Sequence, residues 1–139
     1  GLRLLQVAPL LPYYDIDPNI VEFVGTGVWD DEVFYDEPSL DGSIYPGIEF
    51  IKRKKLVEEY YNLYNEKLLR TSTLPYDIVG LLSFIIENNY TLSSFYDLLN
   101  KSNIKFSGID GSFNFLNNII ERDLDILKIE NGKAKAILY

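Results

Sequence analysis

Five carboxylates, Asp30, Asp31, Glu32, Asp36 and Glu37, crowd into a stretch that directly follows "VEFVGTGVW" (21–29). Two or three such groups at the end of a strand are what a Mg²⁺- or Ca²⁺-dependent hydrolase uses. Their spacing matches no EF-hand loop, and no Asn or backbone-ligand pattern completes a coordination shell. They read better as helix caps and solvated charge. No metal, no other cofactor and no catalytic residue are expected.

The "GTG" at 25–27 invites a phosphate-loop reading. It lacks the third glycine of a dinucleotide fingerprint and the Gly-Lys-Ser/Thr of a P-loop. Glycines here let the backbone turn sharply out of a sheet edge. Ligands of open α/β sheets sit at the carboxyl ends of strands, and this turn follows such an end. Trp29, the sole tryptophan, is therefore either a core anchor or an aromatic wall for a ligand.

Other motifs favour structural roles. Tyr60, Tyr61 and Tyr64 fall at helical spacing and are expected to face the core. Asp77, early in a helix, is expected to favour the helix dipole. "SGIDG" (107–111) reads as a tight turn into a strand. "KRKK" (52–55), with no interleaved aromatic or glycine, reads as a solvated helix start.

Composition narrows the classes. The chain has no Cys and no His, which removes thiol nucleophiles, Ser-His-Asp triads and the usual structural zinc sites. The net charge of −8 repels phosphate backbones, so no nucleic-acid partner is expected. At 139 residues, 47% hydrophobic and 24% charged, the chain has the make-up of one globular unit or one lobe of a larger protein. There is no methionine, so the chain is expected to begin after an N-terminal cut, with any signal or anchor outside it.

The elements that must position these residues follow from periodicity and breakers. Residues 2–11 read as an apolar helix broken by Pro9 and Pro12. "IVEFVG" (20–25) reads as a short buried strand and "LDGSIYPG" (40–47) as a second. A helix is expected over 52–68, with Leu56, Val57, Tyr60, Tyr61, Tyr64 and Leu68 inward. A second, with Pro75 in its first turn, is apolar nearly all round and is expected to be buried on most faces. A third follows Thr91 as N-cap. "GSFNF" and "RDLDILKIE" alternate as strands, and "ENGK" is an Asn-Gly hairpin turn. The order gives an α/β fold.

In sequence order, "VAPLLPYYDIDP" (7–18), "FVGTGVWDD" (23–31), "EPSLDGSIY" (37–45), "STLPYDIV" (72–79) and "FSGIDGSFNF…ERDLDILKIENGK" (106–133) resemble the C-terminal portion of type I periplasmic solute-binding proteins. Within them the resemblance is to the branch of penicillin-binding protein activators and branched-chain-amino-acid-binding-like proteins. It implies a two-lobed, periplasmic-binding-protein-like fold of three-layer αβα elements, of which 1–139 is a single fragment, incomplete without an N-terminal lobe. Residues 2–45 would belong to the C-terminal lobe, 45–51 to the last crossover, 52–101 to helices packing on the N-terminal-lobe side, and 106–139 to terminal strands and a hairpin.

The resemblance also implies a function: a non-enzymatic domain of the periplasm or cell envelope that binds a small polar ligand such as an amino acid or peptide, working with a membrane transporter. The cleft residues it implies are Thr26, Gly27, Val28 and Trp29, with Tyr45 at the crossover as a cleft or hinge residue. Amino-acid-binding relatives often carry an acid within this turn. Here the acids come one or two places later, so the alternative is a regulator of a peptidoglycan synthase with a degenerate cleft. Self-association through the apolar helix at 75–88 is also expected.

Overall fold

The computed structural model describes residues 3–99, 104–117 and 119–137. The chain divides into two compact units, Gly1–Phe50 with Leu124–Tyr139, and Ile51–Asp123.

The first unit opens with two helical turns, α1 (Leu4–Val7) and α2 (Leu10–Tyr13). Pro9 separates them, while Pro12 falls within the short α2, where few backbone N–H groups have an intrahelical partner. Its sheet is antiparallel in the order β1 (Ile44–Gly47), β5 (Asp125–Glu130), β6 (Lys133–Ala136). The expected Asn-Gly turn is present, with Asn131 and Gly132 both at positive φ, as a tight two-residue hairpin requires. Leu127 and Ile129 alternate inward from β5 and join Ala8, Phe34, Leu40 and Tyr45 in the core.

The buried strand expected at 20–25 is not formed. Val24 makes one isolated parallel bridge to Ile44, and Ile20 and Val24 are 83% and 70% exposed. The reason lies in β1. Ile44 N–H donates to Phe23 O at 2.9 Å and Gly25 N–H to Ile44 O at 2.8 Å. The next bond of a parallel ladder would need an N–H from residue 46, which is proline. In the other direction the N–H of Gly42 is committed to Ile129 O.

The second unit carries α3, which begins at the unit boundary (Phe50–Tyr64), α4 (Thr73–Glu87) and α5 (Leu92–Leu99). It also has an antiparallel sheet of β2 (Phe106–Gly108), β3 (Gly111–Leu116) and β4 (Ile119–Arg122). α3 stops four residues before the expected end, because Asn65 takes a left-handed conformation at φ 53°. Its tyrosines are not core residues: Tyr61 and Tyr64 are exposed, and Tyr64 rests on Tyr60 with ring centroids 4.7 Å apart. Of "KRKK", the lysines are solvated, two of them facing Glu58 and Glu59 one turn on, whereas Arg53 is buried. Thr91 caps α5 as expected, accepting from Ser94 N–H.

α4 departs most from its pattern. Only Thr73, Asp77 and Leu81 are buried, while Leu74, Tyr76, Val79, Leu82, Phe84 and Ile86 are exposed. The stripe that packs inside the unit is centred on an acid. Asp77 accepts from Arg122 Nη1 at 2.6 Å and from Ile109 N–H at 2.8 Å. It thus ties the β2–β3 turn and β4 to the helix instead of serving the dipole. Arg122 also donates to Asp110 O at 2.9 Å and lies 4.8 Å from the centre of the Phe113 ring. A side chain at Gly108 would run into the Asp77 carboxylate, which explains glycine there.

Asp77→Ala removes one partner of a nearly buried ion pair and is expected to lower unfolding stability by about 3–5 kcal/mol; denaturant melts read this directly. The exposed apolar face of α4 leads to a second expectation, concentration-dependent association in light scattering. A monomer at all concentrations would contradict it.

Candidate functional site

The chain leaves β1's neighbourhood at Gly25 and forms a single 3₁₀ turn, Gly27–Trp29. Trp29 N–H closes it on Thr26 O at 2.8 Å and Asp30 N–H on Gly27 O at 3.2 Å. The backbone then reverses at Asp30, where φ −76° and ψ 59° with a 2.8 Å bond from Asp31 N–H to Trp29 O make an inverse γ-turn. Thr26, Gly27 and Val28 are exposed, and Trp29 is half-buried against the core cluster. The tryptophan is thus partly packed on the core and partly in contact with solvent.

One close approach fixes this turn. The indole of Trp29 lies directly against Gly25, with no room for a Cβ. At Gly27 a Cβ would lie an ordinary 3.5 Å from the Pro46 carbonyl oxygen, so the packing there admits a side chain. Tyr45, named with these residues as a cleft or hinge position, is 0% exposed and belongs to the core. Its side chain leaves β1 on the inner face, opposite in direction to its half-buried neighbours Ile44 and Pro46, and its hydroxyl lies 2.6 Å from that of Tyr35.

The acids divide by environment. Asp31 caps the next 3₁₀ turn by accepting from Val33 N–H, and Glu37 caps the one after by accepting from Ser39 N–H and Oγ. Asp30 differs: it is 3% exposed and accepts from the Tyr35 hydroxyl at 3.1 Å. Burial, together with the bond to Tyr45, pushes the Tyr35 hydroxyl far above the ordinary tyrosine range, so it remains a proton donor. Among the described residues no group of three His, Cys, Asp or Glu side chains is placed to hold a metal ion.

Sequence reading missed one further feature of this unit. An open groove of about 400 Å³ is lined by Tyr35, Asp36, Glu37, Pro38, Asp41, Asn131 and Gly132. Asn131 N–H donates to Asp41 Oδ1 at 2.9 Å across it. Its walls lie some ninety positions apart in the chain, and no local signal relates them. The role of Tyr35 was equally invisible, since nothing in "VFYDEP" marks the tyrosine as the partner of a buried acid.

No protein-family model and no curated protein matches the sequence. Solved structures do match its fold. A protein described as a branched-chain amino acid ABC transporter from Rhodospirillum rubrum superposes over 94% of this chain and 41% of its own, at 17% identity and a TM-score of 0.73. The C-domain of LpoA from Haemophilus influenzae, a regulator of PBP1A, matches over 97% of this chain and 41% of its own, at 15% identity and a TM-score of 0.64. Full-length LpoA in one crystal form matches over 98% of this chain and 24% of its own, at 15% identity and a TM-score of 0.64. The chain thus has the mixed helix-and-sheet fold of a part of these proteins, which fall in the branch that its sequence segments resemble. It spans about two fifths of the transporter protein and of the LpoA C-domain.

Gly25→Ala should displace the Trp29 ring, because the new methyl would occupy its place. Red-shifted tryptophan emission at unchanged secondary structure is the expected result. Emission identical to the parent chain would show that the packing is not tight.

Proposed function

We propose that this chain is the ligand-binding and lobe-forming part of an extracytoplasmic, non-enzymatic solute-binding protein. It contacts a small polar ligand, an amino acid or short peptide, through the turn Thr26–Gly27–Val28–Trp29. The observation that carries the reading is the turn itself. Three exposed small or apolar residues and a half-buried indole stand on a backbone held by the packing of Trp29 on Gly25 and by the buried Asp30. A rigid, partly apolar surface with a few exposed amides is what small-ligand recognition uses. The likeness in fold to a protein described as a branched-chain amino acid transporter supports the same reading. Among the described residues no helix is long and apolar enough to cross a membrane. A membrane transporter would be the partner that receives the ligand.

A second reading has its own support. The LpoA C-domain, described as a regulator of PBP1A, matches nearly the whole chain. The turn carries no acid that an ammonium group could meet, since Asp30 is buried and engaged with Tyr35. On this reading the same surface docks a peptidoglycan synthase and the small-ligand site is degenerate.

Calorimetry against leucine, other amino acids and cell-wall peptides separates the two. The first reading expects saturable heat with at least one of them and a loss of about tenfold or more in affinity in Trp29→Ala, the scale of a removed aromatic contact. No heat with any of them, together with synthase pull-down that Trp29→Ala abolishes, would transfer the assignment to the second.

A further inference from the structure

Of the five acids after the turn, Asp30 alone is buried, and its carboxylate lies at the point where the turn ends. Tyr35 Oη donates its one proton to Asp30 Oδ1 at 3.1 Å. The 2.6 Å contact between the two tyrosine hydroxyls therefore runs the other way, with Tyr45 as donor and Tyr35 as acceptor. The chain of bonds has one direction, from Tyr45 through Tyr35 to Asp30. Its far end is buried: Tyr45 has no exposed surface, and the rings of Tyr35 and Tyr45 stack with centroids 6.4 Å apart at 23°.

Asp30 holds the last bond of the 3₁₀ turn through its N–H and centres the inverse γ-turn that follows. A rotation of its backbone would carry the adjacent Trp29 with it. On the opposite side Gly25 bounds the indole. Trp29 is thus set from both ends, by a ring-on-backbone contact before it and by a tyrosine-held carboxylate after it.

We propose that Tyr35 is a positioning residue for the Thr26–Trp29 surface: acting through Asp30, it fixes the orientation of the Trp29 indole without touching the ligand. The inference rests on that turn being the binding surface, but the geometric part stands apart from it. The Tyr35 hydroxyl gives the buried Asp30 carboxylate a partner beside the turn, and preorganised surfaces lose less freedom on binding.

Trp29 is the chain's only tryptophan, so it reports on itself. In Tyr35→Phe, at temperatures well below the melting midpoint, emission is expected to shift to the red and acrylamide quenching to increase. Tyr45→Phe keeps the Tyr35–Asp30 bond and is expected to retain the parent emission while its melting midpoint falls. Asp30→Ala, which cuts the same bond from the other end, should reproduce the Tyr35→Phe spectrum. Parent-like emission and quenching in a folded Tyr35→Phe or Asp30→Ala chain would overturn the proposal, as would an equal red shift in Tyr45→Phe. With leucine as the probe, Tyr35→Phe is expected to bind about tenfold more weakly, equivalent to about 1.4 kcal/mol; unchanged affinity beside a shifted spectrum would also overturn it. If the parent chain does not bind leucine, the small-ligand reading loses support, and the spectra alone decide the role of Tyr35.

Discussion

A missing N–H at Pro46 shapes the first unit. β1 gives one edge to β5 and begins a parallel ladder with Phe23 and Gly25 on the other. The ladder ends after two bonds because proline has no donor for the third. The segment from 26 onward is thereby released from the sheet immediately beside a rigid strand, and the 3₁₀ turn forms there. Gly25 makes the exit possible by admitting the indole of Trp29 against the backbone.

What stabilises the released segment is burial of polar groups in matched pairs. An unpaired carboxylate in Asp30's position would cost several kcal/mol, and the Tyr35 hydroxyl offsets that cost while fixing direction. The second unit uses the same device at larger scale. Asp77 sits in the inward stripe of an otherwise apolar helix and receives a guanidinium and two backbone N–H groups. Arg70 lies 2.7 Å from the buried Asp110 of the same turn, as an ion pair out of line for a hydrogen bond. In the second unit the buried Asp77 joins segments distant in sequence, whereas in the first Asp30 ties a local stretch and the apolar cluster with Leu127 and Ile129 joins the distant ones.

The sequence and the structure part company in instructive places. The Asn-Gly hairpin and the Thr91 cap were legible because each is decided by neighbours within a few residues. The inward stripe of α3 and α4 was not. Periodicity identifies which residues share a face, but Tyr61 and Tyr64 share theirs with solvent, and α4 turns Thr73, Asp77 and Leu81 inward in place of its larger apolar residues. The strand at 20–25 failed for a reason held entirely in its partner, since only the residue facing it shows that the ladder has no donor.

At the candidate site the positions Thr26, Gly27, Val28 and Trp29 could be named from a glycine-bounded turn after an apolar run, and from resemblance. Their chemistry was open: the sequence left Trp29 between core and ligand wall, and it treated all five following acids alike. The sequence by itself determined turn positions, hairpin chemistry, caps and the exclusion of thiol and histidine chemistry, because these depend on residue type and short-range backbone preference. Only the tertiary structure decided that Asp30 is buried and tyrosine-bound while Asp31 is a cap, and that Tyr45 lies in the core. It likewise made Asp77 an anchor in place of a dipole partner. Burial and pairing depend on which distant segment arrives opposite, and no local pattern encodes that.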